Sequence, residues 1–570
     1  MFFRIIGLGL FLGLFCLNFI QIAAAESHSQ MSAILSSVPG HKIQSSLPRV
    51  ARKFRQNYDF KFDPKTGEIL KMILKSEDEI PLDEMNLPFS IESIQSGDFV
   101  LQKAQYDEQL GFVAPRGGRA PWSQIDDAEN LVGALKYRKL SQMESRGLTA
   151  GRLKRVPWSS SYWPTYAGGI GQRYADPEFR ISKSWKKNIE RLEGLLPGSL
   201  TELTPEQIDV LSPAEKYDLL VGDPHFTLTR SEFAAAAKAA SNSGKVESWE
   251  GKCHGWAPAA FSEYRPHHSI DVRAFDSSQP DHLGVSVKFY PDDIKALATL
   301  LWANSPSRSR FVGSRCNVKK PRTDKNGRIL EEGCFDTNPG TWHLLTVNQI
   351  GVNRKSFVLD ATYDYQVWNQ PAFSYEYDYF DPQDAAQNWD SEDDQKFKKI
   401  DSWKAARVGL ADFSADRFKP HRSPDAASVV GVHMKFTYVS EKNVSHAEVE
   451  SAGSSALTSV HYYYDLELNT AGEIIGGEWY QLEHPDFIWA PVTQAFAVGD
   501  EVLNLNGDLN RWKKREMNAI PSMWRAVALE SSAIGQPLGR IVSELIQKSR
   551  KYPGYTVLHF LFGWLESKND

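Results

Sequence analysis

Hydrophobic and polar positions divide the chain into a helical stretch followed by a strand-rich one. After Trp158 the apolar residues recur at three- and four-residue intervals: Trp185, Ile189, Leu192 and Leu196 fall on one helical face. Three helix starts follow closely, at Thr204-Pro205-Glu206-Gln207, Ser212-Pro213-Ala214-Glu215 and Thr229-Arg230-Ser231-Glu232. Each pairs a hydroxyl cap with Glu or Gln three residues on, and two carry proline at the first helical position. The last of these helices is expected to run through an alanine tract to Ser241-Asn242-Ser243-Gly244, and Ile294, Leu297, Ala298 and Leu301 predict another over 292–303. Beyond Thr341 the spacing changes. WHLLTVNQI and SFVLDATY predict two buried strands about a short polar turn. VVGVHMKFTYV, VHYYYDLEL and IIGGEWYQL predict more, with a reversal at Asn469-Thr470-Ala471-Gly472, and an amphipathic helix is expected near 537–550. Before Trp158 the pattern is uneven. Tyr58, Phe60 and Phe62 alternate ahead of Asp63-Pro64-Lys65-Thr66-Gly67 and predict a hairpin. The region 26–150 leads into the basic connector GRLKRVP, which suits a separate domain or a removable pro-segment.

The first 25 residues have the organisation of a secretory signal: Arg4, a nearly all-apolar stretch from Ile5 to Ile20, and Ala23-Ala24-Ala25 before Glu26. The later apolar run 557–565 is far short of the roughly 20 residues that span a bilayer, so no membrane span is expected after signal removal. The chain of 570 residues carries a formal charge of −6 with both signs mixed, which gives no broad basic field for nucleic acid. Its 41% hydrophobic and 12% aromatic content supplies a sizeable core. Cys16 leaves with the signal, and Cys253, Cys316 and Cys334 remain in an oxidising compartment. Cys316 and Cys334 flank the turn-bearing KPRTDKNGR. A disulfide between them closes a loop of about 20 residues, which contributes roughly 3 kcal/mol in the chain-entropy model. That pairing leaves Cys253 as a free thiol.

Cys253 stands in ESWEGKCHGWAPAAF, between turn-forming Gly251 and helix-compatible APAAF. Pro258 is tolerated only near a helix start, so a helix is expected to begin at or just after Cys253, where backbone N–H groups favour a thiolate. A base and an orienting group are needed as well. In the expected hairpin, a turn centred between Gly351 and Val352 sets His343 opposite Asp360, so that both share one face. The resulting Cys253-His343-Asp360 set has Asp360 fixing the imidazole, His343 ionising the thiol and Cys253 attacking a carbonyl. The Cys253 N–H is one oxyanion donor and Trp249 a candidate for the second. His254, adjacent on the helix, is the poorer base. An inert buried cysteine and a structural His–Asp pair are the competing readings.

GKCHGWAPAAF, NPGTWHLLTVNQIG and VLDATYDYQVWNQP together resemble the oomycete transglutaminase elicitor family and its bacterial relatives. WSSSYWPTYAGGI, LSPAEKYDLL, YPDDIKALATLLWA, FVGSRC and HPDFIWAP extend the resemblance in order, from about Trp158 to Trp489. It implies a secreted protein-glutamine γ-glutamyltransferase that joins glutamine to lysine side chains of protein substrates through a cysteine thioester. The family's catalytic cysteine, histidine and aspartate fall on Cys253, His343 and Asp360. The family's plant-recognised peptide begins with Val367-Trp368-Asn369-Gln370-Pro371, and this chain departs from it afterwards. A peptidase or glutamine deamidase uses the same three groups, and a catalytically inactive cell-wall binding protein is a reading from another class. No cofactor is required by the chemistry. Calcium is possible at SYEYDYFDPQD with DSEDD, or at Asp465, Glu467 and Asn469, although neither place has the spacing of a dedicated loop. The fold class expected is α+β. A papain/transglutaminase-like core occupies 151–420, after the signal (1–25) and the N-terminal region (26–150). A β-rich, then helical, part of the same body completes the chain over 421–570.

Overall fold

The computed structural model describes residues 126–550 apart from short internal segments, together with the backbone of the strand pair β1 (Tyr58–Phe62) and β2 (Ile69–Leu74). That pair is antiparallel, with Tyr58 opposite Leu74, as the alternation of Tyr58, Phe60 and Phe62 implies. The signal segment and the Cys316–Cys334 pair lie outside the described residues.

Local capping chemistry sets two starts in the helical lobe. Helix α1 (Trp185–Leu195) is followed by α2 (Pro205–Asp209) and α3 (Pro213–Val221). At α2 the Thr204 hydroxyl accepts from the Gln207 N–H, and the Gln207 side chain accepts in return from the Thr204 N–H. Ser212 and Glu215 do the same at α3, and both helices have proline at their first position. The third start falls elsewhere. Helix α4 (Thr227–Ser243) begins two residues before Thr229, and the backbone N–H groups of Leu228 and Thr229 donate to Asp218 of α3. The Thr229 hydroxyl also donates to Asp218, at 2.7 Å, so a carboxylate from another helix supplies the cap that sequence assigned to a local hydroxyl.

Helix α5 (Cys253–Ser262) lies against α6 (Pro291–Ala303), after the hairpin β4 (Ile270–Phe275) and β5 (Leu283–Phe289). Gly255 sets that approach: a Cβ there would sit 2.3 Å from the Thr299 carbonyl and 2.6 Å from the Ala303 methyl. The Trp256 indole donates to the Trp158 carbonyl at 3.0 Å and fixes the rotation of α5 about its axis. The helical core is completed by α8 (Val498–Leu505), α9 (Ser522–Ser532) and α10 (Gly539–Ser549), and α7 (Pro339–Thr346) lies apart from it. The strand expected over WHLLTVNQI is therefore helix. Asn338 caps α7 by accepting from the Gly340 N–H, Pro339 occupies its first position, and a π-turn over Val347–Val352 continues it. The segment is buried on all sides, and periodicity alone does not separate a buried helix from a buried strand.

A mixed arrangement of helices and antiparallel strands results. The large sheet contains β3 (Ala150–Arg152), β6 (Ser309–Gly313), β7 (Val358–Asp360), β8 (Asn369–Phe380), β9 (Arg407–Gly409), β10 (Ser428–Ser440), β11 (Ala456–Leu468), β12 (Ile474–Gly476) and β13 (Phe487–Pro491). Its order is β12-β11-β10-β8-β7-β13-β6, with β3 on β8 and β9 on β10. The two faces differ in what covers them. Leu359 of β7 and Ile488 of β13 pack with Trp342 and Leu345 of α7. Their neighbours Val358 and Trp489 pack on the other face with Ala257 of α5. Because side chains alternate along a strand, Asp360 shares the α5 face with Val358.

Strands on both sides of residue 420 pair in one sheet. Leu140, Met143, Leu148 and Leu153 are buried in the sheet core, and β3 pairs with β8, so the residues just before 150 belong to the packed structure. Each of these aliphatic side chains contributes about 1.5–3 kcal/mol when fully buried, and total stability is commonly only about 5–15 kcal/mol. A chain trimmed to begin at Trp158 is therefore expected to lose cooperative unfolding in a circular-dichroism melt, while one beginning near residue 126 keeps it.

Candidate functional site

Cys253 is the first residue of α5 and is 4% exposed. Its sulfur meets the start of β8: the Asn369 Nδ2 donates to Sγ at 3.4 Å, and Sγ lies 3.8 Å from the Val367 carbonyl. Asn369 is held in turn by the Trp489 indole, which donates to its Oδ1 at 2.7 Å. Asp360 is the register partner of Asn369 across the β7–β8 pair. One of its oxygens accepts from the Thr362 hydroxyl at 3.0 Å and the Trp368 N–H at 2.9 Å, which orients the carboxylate.

Burial pushes the Cys253 thiol up from 9.0 to about 11. The charges of Glu441 and Asp360 add to the rise, and hydrogen bonds from Asn369 oppose it. The resting sulfur is therefore a neutral thiol at pH 7, despite its place at a helix N-terminus. The adjacent Lys252 does not reverse this, since its ammonium pairs with Glu232 at 3.1 Å.

His343 is elsewhere. It lies on α7, fully buried, with Nδ1 2.9 Å from the Tyr464 hydroxyl and its ring edge-on to Tyr377 at 4.7 Å. Both tyrosines belong to the core on the α7 face of the sheet, whereas Cys253 and Asp360 sit on the α5 face. The imidazole and the thiol thus lie on opposite sides of the sheet: Cys253, Asp360 and Asn369 are on the α5 side and His343 is on the α7 side. The cause is the helix in place of the strand: opposition across a hairpin no longer applies to His343. His254 is also buried, and burial together with Lys252 holds its pKa well below the ordinary value.

The family can be named from the whole chain. The transglutaminase elicitor family model matches residues 129–502, more than half of the 570 residues, and spans every element of this site. This chain belongs to the transglutaminase elicitor family. It is also similar to the crystal structure of the GP42 transglutaminase from Phytophthora sojae, at 22% identity and a TM-score of 0.44, over 67% of this chain and 96% of that one. No curated protein matches it.

In this transglutaminase elicitor chain, aromatic side chains flank the segments that hold the thiol: the Tyr162 carbonyl accepts from the Lys252 N–H, and Trp368 follows Val367. Tyr162 meets Trp368 edge-on at 5.3 Å, and Trp249 meets Tyr365 at 6.0 Å. Asn369, Trp489 and Tyr162 were not singled out as site residues from sequence, although they stand inside the family-like stretches VWNQP, HPDFIWAP and WSSSYWPTYAGGI. Glu441 carried no signal there at all.

The calcium positions are taken by protein groups. Arg422 donates to both oxygens of Asp465 at 2.7 Å, pairs with Asp416 at 3.0 Å and lies 3.7 Å from Glu467, so a guanidinium occupies the centre of that cluster. In SYEYDYFDPQD, Glu376 pairs with Lys435, Asp378 bonds His433, and Asp381 caps a helix through the Gln383 N–H. DSEDD lies outside the described residues, and among the described residues no group of three or more His, Cys, Asp or Glu could hold a metal ion. No described helix is long and apolar enough to cross a membrane.

Burial depresses His343 from 6.5 to about 3. A group depressed in the folded state stabilises above its unfolded pKa, and that stability is lost as pH falls through 6.5 toward 3. The loss approaches about 1.4 kcal/mol per pH unit for this one side chain. Urea unfolding between pH 7 and 4 should therefore have a shallower pH dependence in His343→Gln, whose amide can still meet Tyr464.

Proposed function

We propose that this chain is a secreted protein-glutamine γ-glutamyltransferase, with Cys253 as its nucleophile. The observation that carries this reading is a free, buried thiol at the first residue of α5, touched by the Asn369 amide and sharing one sheet face with Asp360. The signal-like first 25 residues support export.

In the first half-reaction the sulfur attacks the γ-carboxamide carbon of a protein glutamine. The S–H proton passes to the Asp360 carboxylate as the C–S bond forms, and Asp360 returns it to the departing nitrogen as ammonia leaves. A lysine amine then displaces the sulfur and forms the isopeptide bond. The first-turn N–H groups of α5 and the Asn369 amide are suited to the developing oxyanion, since N–H donors at a helix start favour negative charge. The neutral resting thiol fits this sequence, because deprotonation then coincides with attack. Tyr162, Trp368 and Trp249 exclude water, which would otherwise turn transfer into deamidation. Asp360 takes the proton-carrying role that sequence assigned to His343, which the sheet separates from the sulfur.

The test uses the exported form of the protein with a glutamine-rich protein and a labelled primary amine, following ammonia release, amine incorporation and chain cleavage together. Amine incorporation without cleavage is expected, abolished in Cys253→Ala. Asp360→Asn should lower it by about 10²–10⁴-fold, the range of general acid–base contributions. His343→Gln should retain activity within about threefold once the folded fraction is matched. Loss of incorporation in a folded His343→Gln would restore the histidine as proton carrier. Ammonia release without incorporation would make the enzyme a deamidase, and cleaved chains would make it a peptidase.

A further inference from the structure

The Asn369 side chain has two unlike ends, and the one that faces the sulfur decides what it can do there. With its nitrogen inward the amide donates to Sγ and favours negative charge. With its oxygen inward it accepts from the S–H and favours the neutral thiol. The two ends are nearly the same in size, so packing alone does not choose between them. A third residue chooses. The Trp489 Nε1 donates to the Asn369 Oδ1 at 2.7 Å, which leaves the Nδ2 facing Sγ at 3.4 Å. An indole nitrogen is a donor only, so it is satisfied by this orientation of the amide and not by the other.

Trp489 is itself held on both sides. It lies on β13, opposite Phe311 of β6 and opposite Val358 of β7. Its ring is fully buried and stacks on Phe311, with centroids 5.8 Å apart and planes 16° from parallel. It packs on the α5 face with Val358, the face that Asp360 and the sulfur share, so the indole meets the amide on the side where the chemistry is. Asn369 is 1% exposed. Turning its amide would set two N–H donors against each other where water does not replace the lost partner. Both partners are uncharged, so the pair brings a donor to the sulfur without bringing a cation. The hydrogen bonds from Asn369 accordingly oppose the upward push that burial gives the thiol.

We infer that Trp489 is the positioning residue of the thiol site: its N–H holds the Asn369 amide with the nitrogen toward Cys253, so that the donor stands ready before attack. This rests on the acyl-transfer reading above. Charge develops on the sulfur as its proton leaves, and a preset donor meets that charge without having to reorient. With the indole N–H removed, the amide turns to accept from the resting S–H and stabilises the wrong state.

The experiment compares the parent with Trp489→Phe and with a protein carrying 3-benzothienylalanine at position 489, which keeps the bicyclic ring and lacks the N–H. Asn369→Ala is made alone and combined with each. Circular-dichroism melts establish that every variant is folded. Amine incorporation into a glutamine-rich protein gives kcat and KM, and mass spectrometry of the Cys253 peptide gives its rate of alkylation by iodoacetamide at pH 9. Loss of the N–H at 489 should lower kcat about tenfold to a hundredfold, leave KM within about twofold, and slow alkylation about threefold to tenfold. Asn369→Ala should act in the same direction, and the change at 489 should then add less than about threefold, because both act through one amide. A packing role alone gives the opposite pattern: a loosened site exposes the sulfur and speeds alkylation, and the two losses multiply. Either of those results, or an unchanged kcat in the folded benzothienylalanine protein, would overturn the positioning role and leave acyl transfer standing. A parent without Cys253-dependent incorporation would overturn acyl transfer. Slower alkylation without the N–H would then still support the hold on the amide, and unchanged alkylation would overturn it.

Discussion

The contact at Gly255 is the constraint on which the site depends. Because this residue lacks a Cβ, α5 settles directly on the α6 backbone near Thr299 and Ala303, and the adjacent Trp256 bonds the Trp158 carbonyl. Those two restraints fix both the height and the rotation of α5, so its first residue can point only at the end of β8. A methyl group at 255 would lift the helix from α6, and the 3.4 Å meeting of Cys253 with Asn369 would be lost before any catalytic group had changed. The sulfur is thus placed by packing from behind and by hydrogen bonds from in front.

The front is secured by buried charge rather than by apolar contact. Glu450 gathers Arg265, Lys295 and Lys442, and Asp292 of α6 joins Lys295 and the Ser445 N–H. This network ties the segment between β10 and β11 to α6, the same helix that supports α5. Removing one member of such a buried set commonly costs about 3–5 kcal/mol because the remaining charge is left unpaired. The fully buried Lys216–Asp293 pair, at 2.7 Å, adds a second tie, from α3 to the start of α6. Helical lobe and sheet are therefore joined along the seam that carries Glu441.

What sequence made legible was what local chemistry decides. The capping boxes at Thr204 and Ser212, the helix beginning at Cys253, and the long strands β10 and β11 all follow from residues a few positions apart. Thr229 failed as a cap because its hydroxyl serves Asp218, a partner that only the fold supplies. His343 failed more instructively. Pairing it with Asp360 required WHLLTVNQI to be a strand, and an apolar segment buried on every side carries no period to settle that. The helical signal was present in Asn338-Pro339, one residue each for cap and first turn, yet the symmetry of an imagined hairpin outweighed it. Glu441 had no local signature, since its place depends on how far β10 runs past β8.

A buried thiol flanked by two carboxylates appears at first to be a poor nucleophile, since every nearby charge opposes the thiolate. The same arrangement has a consistent logic if charge is needed only during turnover. A permanently ionised sulfur in an exported protein would be exposed to oxidation and to stray electrophiles, which attack the thiolate form. Holding the proton on sulfur until a carboxamide arrives keeps the resting site inert. In the proposed reaction the Asp360 carboxylate then acts on the proton in transit. An imidazole beside the sulfur would instead form a thiolate–imidazolium pair at rest, and the protection that a neutral thiol gives would be lost.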